Sequence, residues 1–217
     1  MLRAAIFDMD GVIVDSHPIH RKCWRNFLEL LGKEIDDGDL NFVMDGRKRE
    51  EILRHFLGEL SDEQVRVFGH QKEQMFKKEV DDVKITEGLY DFLKQLSEAE
   101  VKLGVASSGS KSRIKYILDS FHLQRYFETV VTGDQVTFGK PDPSIFRLAS
   151  DRLRVPPTET LVFEDSVSGI RAAKAAGMRC IAVASNSVMT NLVRAGADQI
   201  IPNFSCVSFD LLQRFFE

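Results

Sequence analysis

Apolar positions along this chain switch between two periods. Residues 2–7 are apolar apart from Arg3, as in a strand covered on both faces. Over residues 17–31 the period becomes helical, with Ile19, Cys23, Trp24, Phe27, Leu28 and Leu31 on one broad face and Gly32 placed to cap the end. Helical patterns return over 47–57 and 61–78, the second opened by the capping box Ser61-Asp62-Glu63-Gln64. The stretch from Ser16 to about Asp82 thus predicts helices and no convincing strand.

Beyond Thr86-Glu87-Gly88 the two patterns alternate. Helices are predicted over 89–98, 110–121, 142–153, 166–176, 187–195 and 208–216, and strands over 101–106, 129–132, 160–163, 179–184 and 199–201. This alternation predicts an α/β fold, a doubly wound Rossmann-like parallel sheet with helices on both faces. Its core comprises residues 1–15 and 83–217, and residues 16–82 form an all-helical cap inserted after the first strand. The junctions, near Asp15-Ser16 and over 82–87, would be hinges. There is no internal repeat and no low-complexity tract.

Composition narrows the partners. At 217 residues the chain can bury roughly 70% of its unfolded surface, enough for a real core. A net charge of -4 disfavours nucleic acid, and the densest basic cluster, Arg47-Lys48-Arg49, runs straight into Glu50 and Glu51. Cys23, Cys180 and Cys206 lack metal-ligand spacing, and their odd number argues against a disulfide framework, which fits a reducing cytoplasm. Asp8 and Asp10 interrupt the early apolar stretch, so a secretory signal is not expected. The uncharged segment 180–193 is too short for a bilayer and carries Ser185, Asn186 and Ser187, so no membrane is expected either.

Four short stretches place polar chemistry just after strand-like runs: Asp8-Met9-Asp10-Gly11, Ser107-Ser108-Gly109, Gly139-Lys140-Pro141 and Glu164-Asp165-Ser166. In a parallel sheet, strand ends share one edge and ligands bind outside it. Asp8 and Asp10, two apart, can serve one pocket, one attacking phosphorus and the other handling protons; alone, they are also a common turn sequence. A phosphate dianion about 3 Å from an aspartate is repelled by on the order of 10 kcal/mol at an effective dielectric of about 20, so cations are required. Lys140 supplies one charge. Mg²⁺ on Asp8 and the Glu164-Asp165 pair supplies two more, and the oxygen donors favour it over zinc. The bland alternatives are helix capping by Asp165 or Ser166, a plain polar turn at Ser107-Ser108, and a solvated loop lysine at Lys140. If Ser107-Ser108 is a site, the hydroxyls and the N–H groups of the helix that follows would hold an anion.

In order and spacing these stretches resemble the haloacid dehalogenase superfamily of phosphotransferases, over nearly the whole chain. The resemblance implies that Asp8 is a nucleophile forming an aspartyl-phosphate. Asp10 would protonate the leaving oxygen and then activate the acceptor. Ser107, with Ser108 beside it, and Lys140 would hold the phosphoryl group. Asp8, the Asp10 backbone carbonyl and Asp165 would bind Mg²⁺, with Glu164 nearby. The superfamily's dehalogenases lack the second aspartate and need no metal, so Asp10 and Glu164-Asp165 argue against dehalogenation. A phosphonate-cleaving relative uses a cap lysine, for which Lys48 is a weak match.

The cap looks most like that of the beta-phosphoglucomutase and sugar-phosphatase subgroup. His20, Trp24, Gly46 and Arg49 fall where the mutase branch has the same residues; there the histidine and arginine help recognise the sugar phosphate and close the cap. The alternatives are Trp24 as cap core, His20 as a half-exposed helix residue and Arg49 as a partner of an acidic neighbour on its own helix, Glu50 or Glu51. This chain departs from the branch at Asp45 (lysine there), Arg47 (small and apolar there) and Ile52 (serine there). Asp45 weakens a second phosphate pocket in the cap, for which Arg47 would compensate.

The resulting expectation is a Mg²⁺-dependent phosphohydrolase acting on a small phosphorylated metabolite, a sugar or polyol phosphate, as a monomer or weak homodimer. A beta-phosphoglucomutase interconverting beta-glucose 1-phosphate and glucose 6-phosphate is one alternative. A non-catalytic module that binds phosphorylated ligands is another.

Overall fold

The computed structural model describes residues 1–184 and 189–216. Strand β1 (Ala4–Phe7) is buried along its whole length, and its alternating side chains enter two different apolar layers. Ala5 and Phe7 join one, where Phe7, Phe92, Phe163 and Phe204 meet, and Ala4 and Ile6 join the other with Phe146, Val162 and Ile170. Two buried faces explain why the run is apolar throughout.

After β1 the chain passes through β2 (Val14–Asp15) into helices α1 (His17–Leu30), α2 (Asp37–Val43), α3 (Arg49–Leu57) and α4 (Asp62–Lys78), and returns through β3 (Lys84–Ile85). β2 and β3 pair antiparallel, Val14 with Ile85 and Asp15 with Lys84, at the predicted junctions. Trp24, Phe27, Leu28, Leu40, Ile52, Leu53 and Val65 give these helices an apolar core of their own. The predicted Ser61 capping box opens α4. Two predictions needed adjusting here. α2 went unpredicted because seven residues are too few for a clear period; the Asp36/Asp39 capping box opens it. The helix predicted over 47–57 begins at Arg49, since Lys48 is extended.

The remaining elements alternate: α5 (Leu89–Glu98), β4 (Lys102–Ser107), α6 (Lys111–Ser120), β5 (Thr129–Thr132), α7 (Ser144–Leu153), β6 (Thr160–Glu164), α8 (Val167–Ala175), β7 (Arg179–Val183), α9 (Met189–Ala195), β8 (Gln199–Ile201) and α10 (Phe209–Arg214). Predicted and observed ends agree to within two residues, except that part of the helix predicted over 187–195, Ser187 and Val188, lies outside the described residues, as do Ser185 and Asn186. Among the described residues no helix is long and apolar enough to cross a membrane.

The six-stranded sheet has the order β5-β4-β1-β6-β7-β8, and every pair in it is parallel. The winding therefore reverses at β1, which lies between β4 and β6. In such sheets the crevice opens at the carboxyl ends of the strands flanking the reversal. Asp8, Ser107 and Glu164-Asp165 stand at those three ends.

Candidate active site

Asp8 follows β1 directly, and its N–H donates to Phe163 O at 2.9 Å, which continues the pairing with β6 by one residue. The chain then turns sharply: Asp10 N–H donates to Asp8 Oδ2 at 2.9 Å, and the Ile13 and Val14 N–H groups both reach Met9 O. Gly11 turns at φ +78°, and a Cβ there would sit 2.2 Å from Asp165 Oδ2. Only glycine lets the turn after β1 approach the acidic residue after β6 this closely.

Lys140 is almost fully buried, and its Nζ donates to Asp8 Oδ1 and to Glu164 Oε1, each at 2.5 Å. Burial opposes the charge of Lys140, but Asp8 and Glu164 outweigh it and raise the ammonium pKa. The solvated-loop alternative is thus set aside by position. Glu164 is anchored on its other oxygen, where Oε2 accepts from Asp165 N–H, Ser166 N–H and Ser166 Oγ at 2.7, 2.7 and 2.9 Å. Ser166 also caps α8 by accepting from Gly169 N–H, so the capping alternative and the acidic pair coexist.

Asp8, Glu164 and Asp165 each offer an oxygen within 4.8 Å of the others. Burial pushes the Asp8 carboxyl up to about 8, with Lys140 pulling down and Glu164, Asp10 and Asp165 pushing further. Burial also raises Asp165, against the pull of His17, whose Nε2 lies 2.9 Å from Asp165 Oδ2. An anionic, all-oxygen cluster short of positive charge fits a hard divalent ion such as Mg²⁺. Asp8 and Asp165 have the freer oxygens, because both oxygens of Glu164 are spent on Lys140 and the α8 turn. The Asp10 carboxylate lies outside this cluster.

Asp10 is instead enclosed by donors. Ser16 Oγ donates to Oδ1 at 2.6 Å and His20 Nε2 to Oδ1 at 3.1 Å, and Arg113 spans Oδ1 and Oδ2 at 2.7 and 2.8 Å. Burial opposes ionisation, yet Arg113 and His20 hold this carboxyl well below the usual range. His20 is buried and stacked on Phe76, and its Nδ1 accepts from Lys72 Nζ at 2.7 Å. Burial and Lys72 lower its pKa to about 3, so it is neutral; with Nδ1 facing Lys72, Nε2–H faces Asp10 Oδ1, and Arg113 Nη1 also lies 3.1 Å from Nε2. This rules out the half-exposed helix residue. Burial and Arg113 lower Lys72 to about 7.

A cavity of about 100 Å³ lies between the sheet edge and the inserted helices. Asp8, Asp10, Asp165, Ser107, Ser108, His20, Trp24, Gly46, Arg47 and Arg49 all line it, and Lys140 and Glu164 lie behind Asp8. Ser107 Oγ accepts from Gly109 N–H at 3.2 Å, and Ser108 Oγ donates to Gly46 O at 2.6 Å, which ties this turn to the inserted helices. Gly46 turns at φ +70°, and a Cβ there would lie 2.7 Å from Ser166 Oγ. Trp24 is both apolar core and cavity wall. Arg49 pairs not with an acid of its own helix but with Glu73 of α4, at 2.7 Å, while remaining at the wall. Arg47 stacks over Phe42 and has weak contacts to Asp45 and Glu51, and its buried Nε has no partner. Lys48 is taken up by Val136 O, Thr137 O and Glu50.

Asp45 points away from the cavity's chemistry, accepting from Ser168 N–H at 3.0 Å and Ser168 Oγ at 2.5 Å in the first turn of α8. Sequence reasoning passed over His17, Lys72, Glu73 and Arg113. A signal existed for three of them: Lys72 and Glu73 share the buried face of α4 with Val65, Gly69 and Phe76, and Arg113 shares that of α6 with Ile114, Ile117 and Leu118. Charged residues at core positions need partners: Arg113 has Asp10 and Glu73, and Lys72 has His20.

A family model described as haloacid dehalogenase-like hydrolase matches residues 5–183. The phosphorylated carbohydrates phosphatase of Thermotoga maritima is 31% identical over 214 residues, covering 92% of this chain and 94% of its own. The beta-phosphoglucomutase of Bacillus subtilis is 30% identical over 229 residues, covering 100% and 96%. The crystal structure of beta-phosphoglucomutase from Clostridium difficile superposes with a TM-score of 0.88 at 24% identity, covering 100% of this chain and 97% of that one, and shares its fold.

Proposed function

This chain belongs to the haloacid dehalogenase-like hydrolase family, and on that premise we propose that it is a Mg²⁺-dependent phosphohydrolase of small phosphorylated carbohydrates, sugar or polyol phosphates, working through Asp8. The observation that carries the reading is the convergence at one sheet edge of Asp8, Lys140 and the Glu164-Asp165 pair, beside a cavity that Ser107 and Asp10 also line. In this reading residues 1–15 and 83–217 are the catalytic core and 16–82 the cap. The partner is a small metabolite, and the enzyme acts in the cytoplasm as a monomer or weak homodimer.

Asp8 attacks phosphorus, and Lys140 neutralises part of the charge that gathers there. Ser107 and the N–H groups at the start of α6 receive the phosphoryl oxygens. Asp8 and Asp165 would hold Mg²⁺, which when bound supplies positive charge against the phosphate. Glu164 aims Lys140 and the α8 turn. Asp10 handles the protons of both steps: to protonate the leaving oxygen its carboxyl must first take up a proton against the pull of Arg113 and His20, whereas the ionised carboxyl can directly take the proton of the water that regenerates Asp8. His20, Trp24, Gly46, Arg47 and Arg49 wall the sugar side and exclude solvent.

The mutase reading shares these steps and differs in the acceptor. It has support in the 30% identity to the Bacillus subtilis enzyme and in His20 and Arg49 at the wall. Against it, the Asp45 carboxylate is spent on Ser168 where the mutase branch carries a lysine. A panel of sugar and polyol phosphates assayed for phosphate release, with Mg²⁺ and then with EDTA, tests the proposal. Metal-dependent release on a carbohydrate phosphate is expected. Conversion of beta-glucose 1-phosphate to glucose 6-phosphate without free phosphate, primed by a trace of bisphosphate, would favour the mutase.

A further inference from the structure

We propose that Arg113 is the positioning residue of Asp10: its guanidinium fork fixes the rotation of the Asp10 carboxylate, and cap helix α4 fixes the fork. The inference rests on the reading of Asp10 as the proton-transfer group.

Among the described residues the side-chain donors to Asp10 are unevenly shared. Oδ1 accepts from Ser16, His20 and Arg113, whereas Oδ2 accepts from Arg113 alone. Donors gathered on one oxygen leave a carboxylate free to turn about its Cβ–Cγ bond. A planar fork with a prong on each oxygen removes that freedom, and only arginine has this geometry. The same asymmetry assigns the proton-accepting atom, since Oδ2 keeps an open lone pair and Oδ1, with three donors, does not.

Arg113 belongs to the core helix α6, but the groups that seat it are on the cap. Its Nε lies 3.6 Å from Glu73 Oε1, and its guanidinium carbon lies 5.3 Å from the centre of the Phe76 ring. Glu73 also takes Arg49 Nη1 at 2.7 Å and Ser110 Oγ at 2.8 Å. Charges of alternating sign thus run from Asp10 through Arg113 and Glu73 to Arg49 at the cavity wall. Lifting the cap would strip Glu73 and Phe76 from Arg113, and His20 from Asp10, in one movement. Asp10 is therefore set for proton transfer only with the cap down.

The step most exposed to this is hydrolysis of phosphorylated Asp8. The water oxygen bonds to phosphorus while the bond from phosphorus to Asp8 breaks and returns its electron pair to the carboxylate. The proton of the water passes to Asp10 Oδ2. Misrotation of Asp10 slows this step and leaves attack by Asp8 on a reactive phosphate donor intact.

The test labels the protein with radioactive acetyl phosphate and Mg²⁺, chases with unlabelled donor, and counts protein-bound label after acid quench. Arg113→Met should take up label within about threefold of the native rate and lose it at least about tenfold more slowly, the scale of a weakened proton transfer. Arg113→Lys, with the charge but a single prong, should fall between; it carries the test alone if the methionine variant does not fold. Asp10→Asn is the reference and should also retain label. Native-rate loss of label from the Arg113 variants with slow loss from Asp10→Asn overturns the inference and leaves the function standing. Equal slowing of labelling and release makes Arg113 merely structural and also overturns it. No labelling of the native protein, or native-rate loss from Asp10→Asn, removes the functional reading underneath.

Discussion

Lys140→Met takes away the cation that touches both Asp8 and Glu164, and the structure gives the scale of the loss. Each contact, at 2.5 Å, represents about 7 kcal/mol of bare attraction at an effective dielectric of about 20. Most of that only offsets the cost of holding the three groups away from water, and removing one partner of such a buried set costs about 3–5 kcal/mol net. In a chain of 217 residues this should lower the melting temperature by roughly 6–20 °C. The deficit should depend on pH in a defined direction. An acid whose pKa is raised on folding, as burial raises Asp8 to about 8, stabilises the fold while protonated and loses that stability as pH rises through the raised value. Without Lys140 a proton can stand in for the ammonium, so the gap from native should be smaller at about pH 5 than at about pH 8.5. Excess Mg²⁺ should narrow it again, because acids stripped of their ammonium partner bind the ion more tightly in the folded variant than in the native protein. Thermal unfolding by circular dichroism in EDTA and in Mg²⁺, at both pH values, measures all three effects. A drop below about 3 °C in EDTA at the higher pH, or the same drop at both, would refute the neutralising role.

Asp8→Asn should abolish phosphate release while the circular dichroism spectrum holds, since the side chain keeps its size; surviving turnover would exclude attack by Asp8. Burial depresses His17, but Asp165 outweighs it and raises the imidazole to about 9, so its stabilisation is complete below its ordinary value near 6.5 and lost as pH rises through about 9. His17→Gln should accordingly melt below native at about pH 6 and match it above about pH 10, and a gap that does not change with pH would contradict the pairing. Asp45→Asn loosens the contact between the cap and Ser168, so Trp24, the one tryptophan of the chain, should become easier to quench with acrylamide. Unchanged quenching would show that this contact does not hold the cap.

The sheet could be read from the sequence because each strand is a short apolar run closed by a polar motif, and burial on both faces leaves no other pattern. The motifs of the candidate site were readable for a related reason: Asp8, Ser107 and Glu164-Asp165 sit where runs stop, and a parallel sheet brings such stops together. Helix α2 was not legible, since it is held by a local carboxylate box and two buried residues. The pairing of Asp10 with Arg113, and of Arg113 with Glu73, was hidden because these residues are far apart along the chain and meet only when α4 and α6 face each other across the cavity. Asp45 was noticed as a departure, but its bond to Ser168 joins two loops that no spacing rule connects.

The two-residue ribbon of β2 and β3 bears on how this molecule could be rebuilt. Because Val14 faces Ile85 and Asp15 faces Lys84, the whole insertion leaves and re-enters through neighbouring points, like a drawer on a single pair of rails. A tight turn joining those rails would bypass the helical block and leave every neighbour in the central sheet where it is. Blocks of other lengths could be spliced at the same place without disturbing the acidic residues at the strand tips.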